Sequence, residues 1–267
     1  MRNDPLELRL KAFCLTSFVL NYQDLAARAE KEGWSHVRYL EELANLEAHD
    51  RQDRRTERLL KAAKLPRDKT LRTLKKGRFP PVVRGQIDRL CGGEFLEGAK
   101  NLCIFGNPGT GKTHVMSAIG HELVRQGRAV FFTTVCSLLE KLLGAKRDLR
   151  LNRELARLDH FDCLALDDIG YVQQDRSEME VLFTLLAERY ERKSVMITSN
   201  LVFSKWDQIF KDPMTTAAAI DRVVHYSVIV ELNVPSYRAE AAQRGKRTKP
   251  GDPEDSTGQG KEGNGKK

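Results

Sequence analysis

Eight consecutive residues constrain this chain more than any others: Gly106-Asn107-Pro108-Gly109-Thr110-Gly111-Lys112-Thr113, a complete G-x-x-x-x-G-K-T. The apolar run NLCIF precedes it, and Val115, Met116, Ile119, Leu123 and Val124 follow at helical spacing. A strand that turns through glycines into a helix is the setting in which this motif binds phosphate. The glycines let backbone N–H groups wrap an anion, and the helix N-terminus adds the positive end of its dipole. Lys112 is then placed to reach β- and γ-phosphates, and the Thr113 hydroxyl to coordinate Mg²⁺. The neighbouring His114 extends the run of candidate nucleotide contacts. ATP and Mg²⁺ are the expected ligands, and the fold class is α/β with a parallel sheet.

The rest of the pattern fits a sheet of that kind. NLCIF, AVFFT, CLALD, SVMIT and SVIVEL read as strands separated by helix-like segments. CLALD ends on Asp167-Asp168, so one carboxylate, Asp167, can hold the Mg²⁺ shell while Asp168 polarises the attacking water. SVMIT runs into Ser199-Asn200, whose amide is placed either to orient that water or touch the γ-phosphate, or simply to cap a loop. Taken together, the three elements describe a P-loop ATPase with an additional strand. Lys112, Asp168 and Asn200 are its candidate catalytic residues.

Charge divides the chain. The net charge is +8, yet residues 51–84 alone hold thirteen Lys/Arg against three Asp/Glu, a net of +10. Such a concentration suits a phosphate backbone through counterion release, although a solvated helix face has the same look. Ser35 to about Lys64 reads as one long helix, capped by Ser35 and closed by Pro66, with Val37, Leu40, Leu43 and Ala44 as an apolar stripe near its start. Further along, Arg51, Arg54, Arg55, Arg58 and Lys61 recur at three- and four-residue spacing, on one face that can follow phosphates. Leu6–Leu20 and Tyr22–Glu30 read as shorter helices. The expected organisation is a helical, basic DNA-binding domain over 1–66, a basic linker over 67–98, the ATPase over 99–238 and a disordered tail over 239–267.

No apolar run is long enough to span a bilayer, and MRNDPLELRL lacks the apolar core of a signal peptide. The five cysteines are an odd set without a C-x-x-C pair, and are expected to be reduced. His121-Glu122 opens like a zinc motif, but Arg125 stands where its second histidine belongs. The expectation is a cytoplasmic protein.

From about Phe95 to Arg238 the sequence resembles AAA+ ATPases of the helicase-loader clade that includes DnaC, and more narrowly the IstB family of transposition helpers. The residues that carry this are GNPGTGKTH, LALDDIGY, LLAERYERKSVMITSN, DP…AAAIDRVVH and PSYR. The resemblance implies an AAA+ core behind a small all-helical domain, Asn200 as sensor 1, and Arg222 as an arginine finger offered to a neighbouring subunit, or else a helix-surface ion pair. It places Arg238 where a sensor-2-like arginine acts. It also implies that the segment Ser137–Leu158 lines an oligomer's channel, so that Lys146, Arg147 and Arg150 meet DNA, as an alternative to an ordinary exposed basic helix. AAA+ motors mostly carry Glu where Asp168 stands; one methylene less draws the carboxylate back and fits slow hydrolysis. The implied function is an ATP-dependent regulator that oligomerises on double-stranded DNA and recruits a transposase. The alternative is a replicative helicase loader acting on single strands, for which a docking surface rich in exposed apolar residues is expected.

Overall fold

A computed structural model describes residues 5–170, 175–202, 205–206, 223–237 and 240. Arg222, Arg238 and the tail beyond Glu240 lie outside the described residues.

Three helices come first: α1 (Pro5–Ala12), α2 (Thr16–Glu32) and α3 (His36–Ala63). The expected helix over 6–20 is broken at residues 13–15, where Cys14 takes a positive φ of 55° and Leu15 N–H reaches back to the Leu10 carbonyl. Ser35 caps α3, its hydroxyl accepting from Arg38 N–H at 3.2 Å, and Lys64 ends it in the left-handed conformation. The apolar stripe expected at the start of α3 does not pack as a stripe. Leu43 is buried against α2, but Val37 and Leu40 are 76% and 58% exposed. Glu47 takes the next buried position instead. It accepts from Ser17 N–H at 2.8 Å and from Arg51 Nε at 2.7 Å, so a charge-assisted polar network joins α2 to α3.

The C-terminal end of α3 belongs to a different core. Ala63 and Leu65 pack with Leu74, Phe79, Ile87, Leu90 and Phe95, all buried against the sheet. The stretch 67–98, expected as a linker, is therefore built into the wall of the ATPase. It folds as a turn at Lys76–Arg78, then α4 (Pro81–Cys91, with Pro at its first position) and α5 (Glu94–Glu97).

Among the described residues, five parallel strands follow: β1 (Asn101–Phe105), β2 (Val130–Thr134), β3 (Cys163–Ile169), β4 (Ser194–Ser199) and β5 (Ser227–Glu231), in the order β2-β3-β4-β1-β5. β4 thus lies between the P-loop strand β1 and the acidic strand β3, as the additional-strand reading requires. Side-chain alternation sends Leu102, Ile104, Cys163, Ala165 and Met196 to one face, under α6 (Lys112–Arg125). The opposite face takes Cys103, Phe105, Leu164, Leu166, Val195 and Ile197, under α7 (Val135–Arg147), α8 (Leu151–Asp159) and α9 (Arg176–Arg189). Near-continuous burial of β1, β3 and β4 is the mark of a parallel sheet covered on both sides. The buried Arg189 donates to the carbonyls of Leu158, Phe161, Asp162 and Ser194 at 3.0–3.3 Å, tying the end of α8 to the start of β4.

All five cysteines are free thiols. Burial pushes Cys103 and Cys163 up to about 12 and Cys91 up to about 11, which keeps all three protonated. Among the described residues, no helix is long and apolar enough to cross a membrane.

Candidate functional site

The loop from Gly106 to Gly111 joins β1 to the first turn of α6. Two of its glycines are required by close approach. A Cβ on Gly106 would stand 2.8 Å from the Leu232 carbonyl oxygen, and one on Gly109 would collide with Ser236 Oγ. Lys112, buried at the start of α6, folds its ammonium back onto the carbonyls of Gly106 (2.9 Å) and Asn107 (3.2 Å). Thr110 Oγ1 closes the turn onto the Asn107 carbonyl at 2.9 Å.

The acidic pair is set by a fault in the sheet. Leu166 pairs with Ile197 and Ile169 with Ser199, so Asp167 and Asp168 together face the single residue Thr198. This is a β-bulge, a device that re-aims side chains at strand ends. Thr198 Oγ1 donates to Asp167 Oδ1 at 2.6 Å and accepts from Asp168 N–H at 2.8 Å, bridging both halves of the bulge. Asp168 takes φ = 70° and its side chain lines the cavity above the P-loop. Asp167 stays buried and also accepts from Thr113 Oγ1 at 3.0 Å. A hydroxyl and a carboxylate side by side form a hard-oxygen donor set suited to Mg²⁺.

The cavity holds about 370 Å³, within the range of small-molecule sites. It gathers Pro108 to His114 of the loop and α6 with Asp168 and Asn200. Asn200 Oδ1 is buried with no hydrogen-bond partner among the described residues. A buried, unsatisfied acceptor beside a carboxylate is poised for a donor such as water.

Seven of the sixteen residues that line the cavity are ones that sequence reasoning did not assign to the site. Lys69, Thr73, Leu74, Lys75, Arg78 and Phe79 of the packed 67–79 stretch line one side, and Tyr237 another. Tyr237 N–H donates to the Gly109 carbonyl at 2.9 Å, and its hydroxyl accepts from Lys75 Nζ at 3.0 Å. Arg78 donates to the Pro235 carbonyl (2.8 Å) and to Glu240 (3.0 Å), so the C-terminal segment is strapped across the loop. His114 lines the cavity, but its Nε2 lies 3.1 Å from the Thr70 carbonyl and 3.2 Å from Thr73 Oγ1, so its ring positions the wall. Thr198 carried a faint signal, a hydroxyl directly after the apolar run Val195–Ile197.

The basic residues separate into two groups. Arg51 and Arg54 both reach Glu47, Arg51 also the Cys14 carbonyl and Arg54 the Thr16 hydroxyl. Arg55 donates to the Gly127 carbonyl at 3.3 Å, across to the ATPase. Lys146 pairs with Glu180 at 2.7 Å. The exposed side chains of Arg58, Lys61, Arg147 and Arg150 make no hydrogen bond or ion pair among the described residues.

Known proteins resemble the chain in sequence and in fold. The chain is 43% identical over 227 residues to an insertion sequence ATP-binding protein of Sinorhizobium fredii, covering 85% of this chain and 76% of that one. It is 33% identical over 239 residues to the insertion sequence IS21 ATP-binding protein of Pseudomonas aeruginosa, covering 90% of each. Among solved structures, DnaI shares the fold with a TM-score of 0.54 at 20% identity, covering 64% of this chain and 96% of that one. The family model described as IstB-like ATP binding protein matches residues 8–245. A P-loop sheet with its inserted strand, its acidic bulge and a sequence match of this extent lead to one conclusion: the chain belongs to the IstB-like ATP-binding protein family.

Proposed function

We propose that this chain is an ATP-hydrolysing regulator of DNA transposition that assembles as a homo-oligomer on duplex DNA and recruits the transposase of its element. The observation that carries the reading is the linked set Thr113–Asp167–Thr198–Asp168, whose two ends line the P-loop cavity with the unsatisfied Asn200 Oδ1. Insertion-sequence relatives supply the transposition context.

In the chemistry this supports, Lys112 exchanges the Gly106 and Asn107 carbonyls for the β- and γ-phosphate oxygens of ATP, and the loop N–H groups hold the rest of the triphosphate. Thr113 and Asp167 would hold Mg²⁺, which supplies neutralisation of charge on the phosphates. Asn200 Oδ1 accepts a hydrogen bond from one O–H of a water and orients it. Asp168 takes the proton of the other O–H as the water oxygen bonds to the γ-phosphorus and the bond to ADP breaks. Arg222 of a neighbouring subunit would serve as the finger, as the family resemblance implies. The short Asp168 side chain suits a slow step that times release of an assembled complex.

Duplex binding falls to the unpaired cations, Arg58 and Lys61 on α3 with Arg147 and Arg150 near the end of α7, rather than to Arg51 and Arg54, which are engaged within the helical module. One observation favours the helicase-loader reading: Leu6, Leu8, Phe13, Leu20, Val37 and Leu40 are all exposed on α1–α3, the kind of surface a protein partner needs.

Fluorescence anisotropy on duplex and single-stranded DNA of equal length, with ATP, with ADP and without nucleotide, tests the proposal. Duplex preference that requires ATP is the expected result. Arg58→Ala combined with Lys61→Ala should then lower the salt slope by about 2. ATP-dependent preference for single strands would replace this reading with the helicase loader, and nucleotide-independent binding would break the link between the site and DNA.

A further inference from the structure

The corner between α7 and α8 carries a residue that the ATPase fold does not use. α7 ends in a Schellman motif: Leu149 N–H donates to the Lys146 carbonyl at 3.1 Å, and Arg150 N–H to the Ala145 carbonyl at 2.7 Å. The position between those bonds takes the left-handed conformation and is ordinarily glycine. Here it is Leu149, at φ = 55°. A branched side chain in this conformation is strained, and burial offsets none of that strain, because Leu149 is 95% exposed. Its backbone caps the helix, while its side chain stands in solvent. Strain kept at one exposed apolar residue points to use.

Its surroundings indicate what it meets. Arg147, Arg150 and Arg153 flank it, all exposed and none with a side-chain hydrogen bond or ion pair among the described residues. Asp148 is the one acid within the corner itself. An open groove of about 680 Å³ runs beside it; Arg150 and Arg153 line it together with the acids Glu140, Asp148 and Glu154, the last of which is paired with Lys141 and Arg157. An aliphatic tip among unpaired arginines is the combination with which proteins enter the minor groove and part a base step, the arginines holding the phosphates. Single-strand binders instead present aromatic platforms for stacking, and residues 145–153, AKRDLRLNR, contain no aromatic side chain.

We infer that the α7–α8 corner is a duplex-DNA contact in which Leu149 acts as a wedge between base pairs and Arg147, Arg150 and Arg153 bind the flanking phosphates. This rests on the duplex reading above and adds to it a local opening of the stack.

The test compares ATP-bound full-length protein on a matched duplex and on the same duplex with a central mismatch, where part of the unstacking cost is already met. The wild type should bind the mismatched duplex about tenfold more tightly. Leu149→Gly restores the residue that the motif prefers, so folding is preserved; it should bind both duplexes equally, with an unchanged salt slope. Leu149→Met, another wedge residue, should keep the preference. Arg147→Ala, Arg150→Ala and Arg153→Ala together should weaken binding to both duplexes and lower the salt slope by about 2–3. A wild-type ratio in Leu149→Gly, or no ratio in the wild type, overturns the wedge. A changed oligomer mass of Leu149→Gly without DNA also overturns it, by making Leu149 a subunit contact. Failure of the wild type to bind any duplex with ATP present is a separate result, which removes the duplex reading itself.

Discussion

The ATPase sheet and the helical module before it are held together by different physics. Under the sheet, Leu102, Ile104, Leu123, Leu164 and Leu166 are wholly buried, and the site is locked by hydrogen bonds that run from α6 through β3 to β4. In α1 no residue is buried, in α2 only Ser17, and in the outer part of α3 only Leu43 and Glu47. A polar network around Glu47 does there what apolar packing does in the core. The contrast separates a frame that fixes the oxygens of Thr113, Asp167 and Thr198 by hydrogen bonds from a module that leaves apolar and basic side chains exposed. Arg55 and the C-terminal end of α3 join the two, so a load on the module reaches the nucleotide wall through one continuous helix.

Core truncation should widen the contrast most. Leu123→Ala is expected to lower global unfolding stability by about 3–4 kcal/mol. Leu43→Ala should leave the main transition nearly in place while hydrogen exchange in α2 accelerates. Equal losses from the two variants would show a single cooperative unit and erase the distinction.

Within the frame, Thr198→Val removes the hydroxyl that joins Asp167 to Asp168 without much change of volume. Turnover should fall by about 10–100-fold while ATP affinity changes little, because Thr198 is buried behind Asp167 and Asp168 and does not line the cavity. A loss confined to binding would place Thr198 elsewhere in the mechanism.

The smallest effect is expected in acid. Burial favours the neutral form of Glu47, but Arg51 and the Ser17 N–H and hydroxyl outweigh it and hold the carboxyl below its ordinary value. A depressed carboxyl contributes stability that is complete above its unfolded pKa and is lost as pH falls through the folded one. The module should therefore loosen below about pH 4.5 before the sheet does, and Glu47→Gln should flatten that dependence. Circular dichroism during acid titration reads both, and an unchanged profile in the variant would remove Glu47 from the account.

The strands and the P-loop were legible because their information is local. Each of the five strands lies within about two residues of its apolar run, and the Gly/Lys/Thr spacing needs no distant partner to be read. The bulge at Asp167–Asp168 was not legible, since it depends on the register of β3 against Thr198, thirty residues away. The cavity wall at 67–79 was hidden by composition: a basic stretch with Gly77 reads as a connector, and only Leu74 and Phe79 reveal that it packs. The stripe at Val37 and Leu40 follows helical period faithfully, but period does not say whether a covering element exists.

The central claim is that the P-loop and the acidic bulge form one ATP site in which binding and hydrolysis belong to different residues. Equilibrium binding of Mg·ATP together with phosphate release, measured on the wild type, Lys112→Ala and Asp168→Asn, tests it directly. Lys112→Ala should bind about 10²-fold more weakly. Asp168→Asn should bind as the wild type does and release no phosphate. Wild-type turnover in Asp168→Asn, or wild-type affinity in Lys112→Ala, would contradict the assignment of the site.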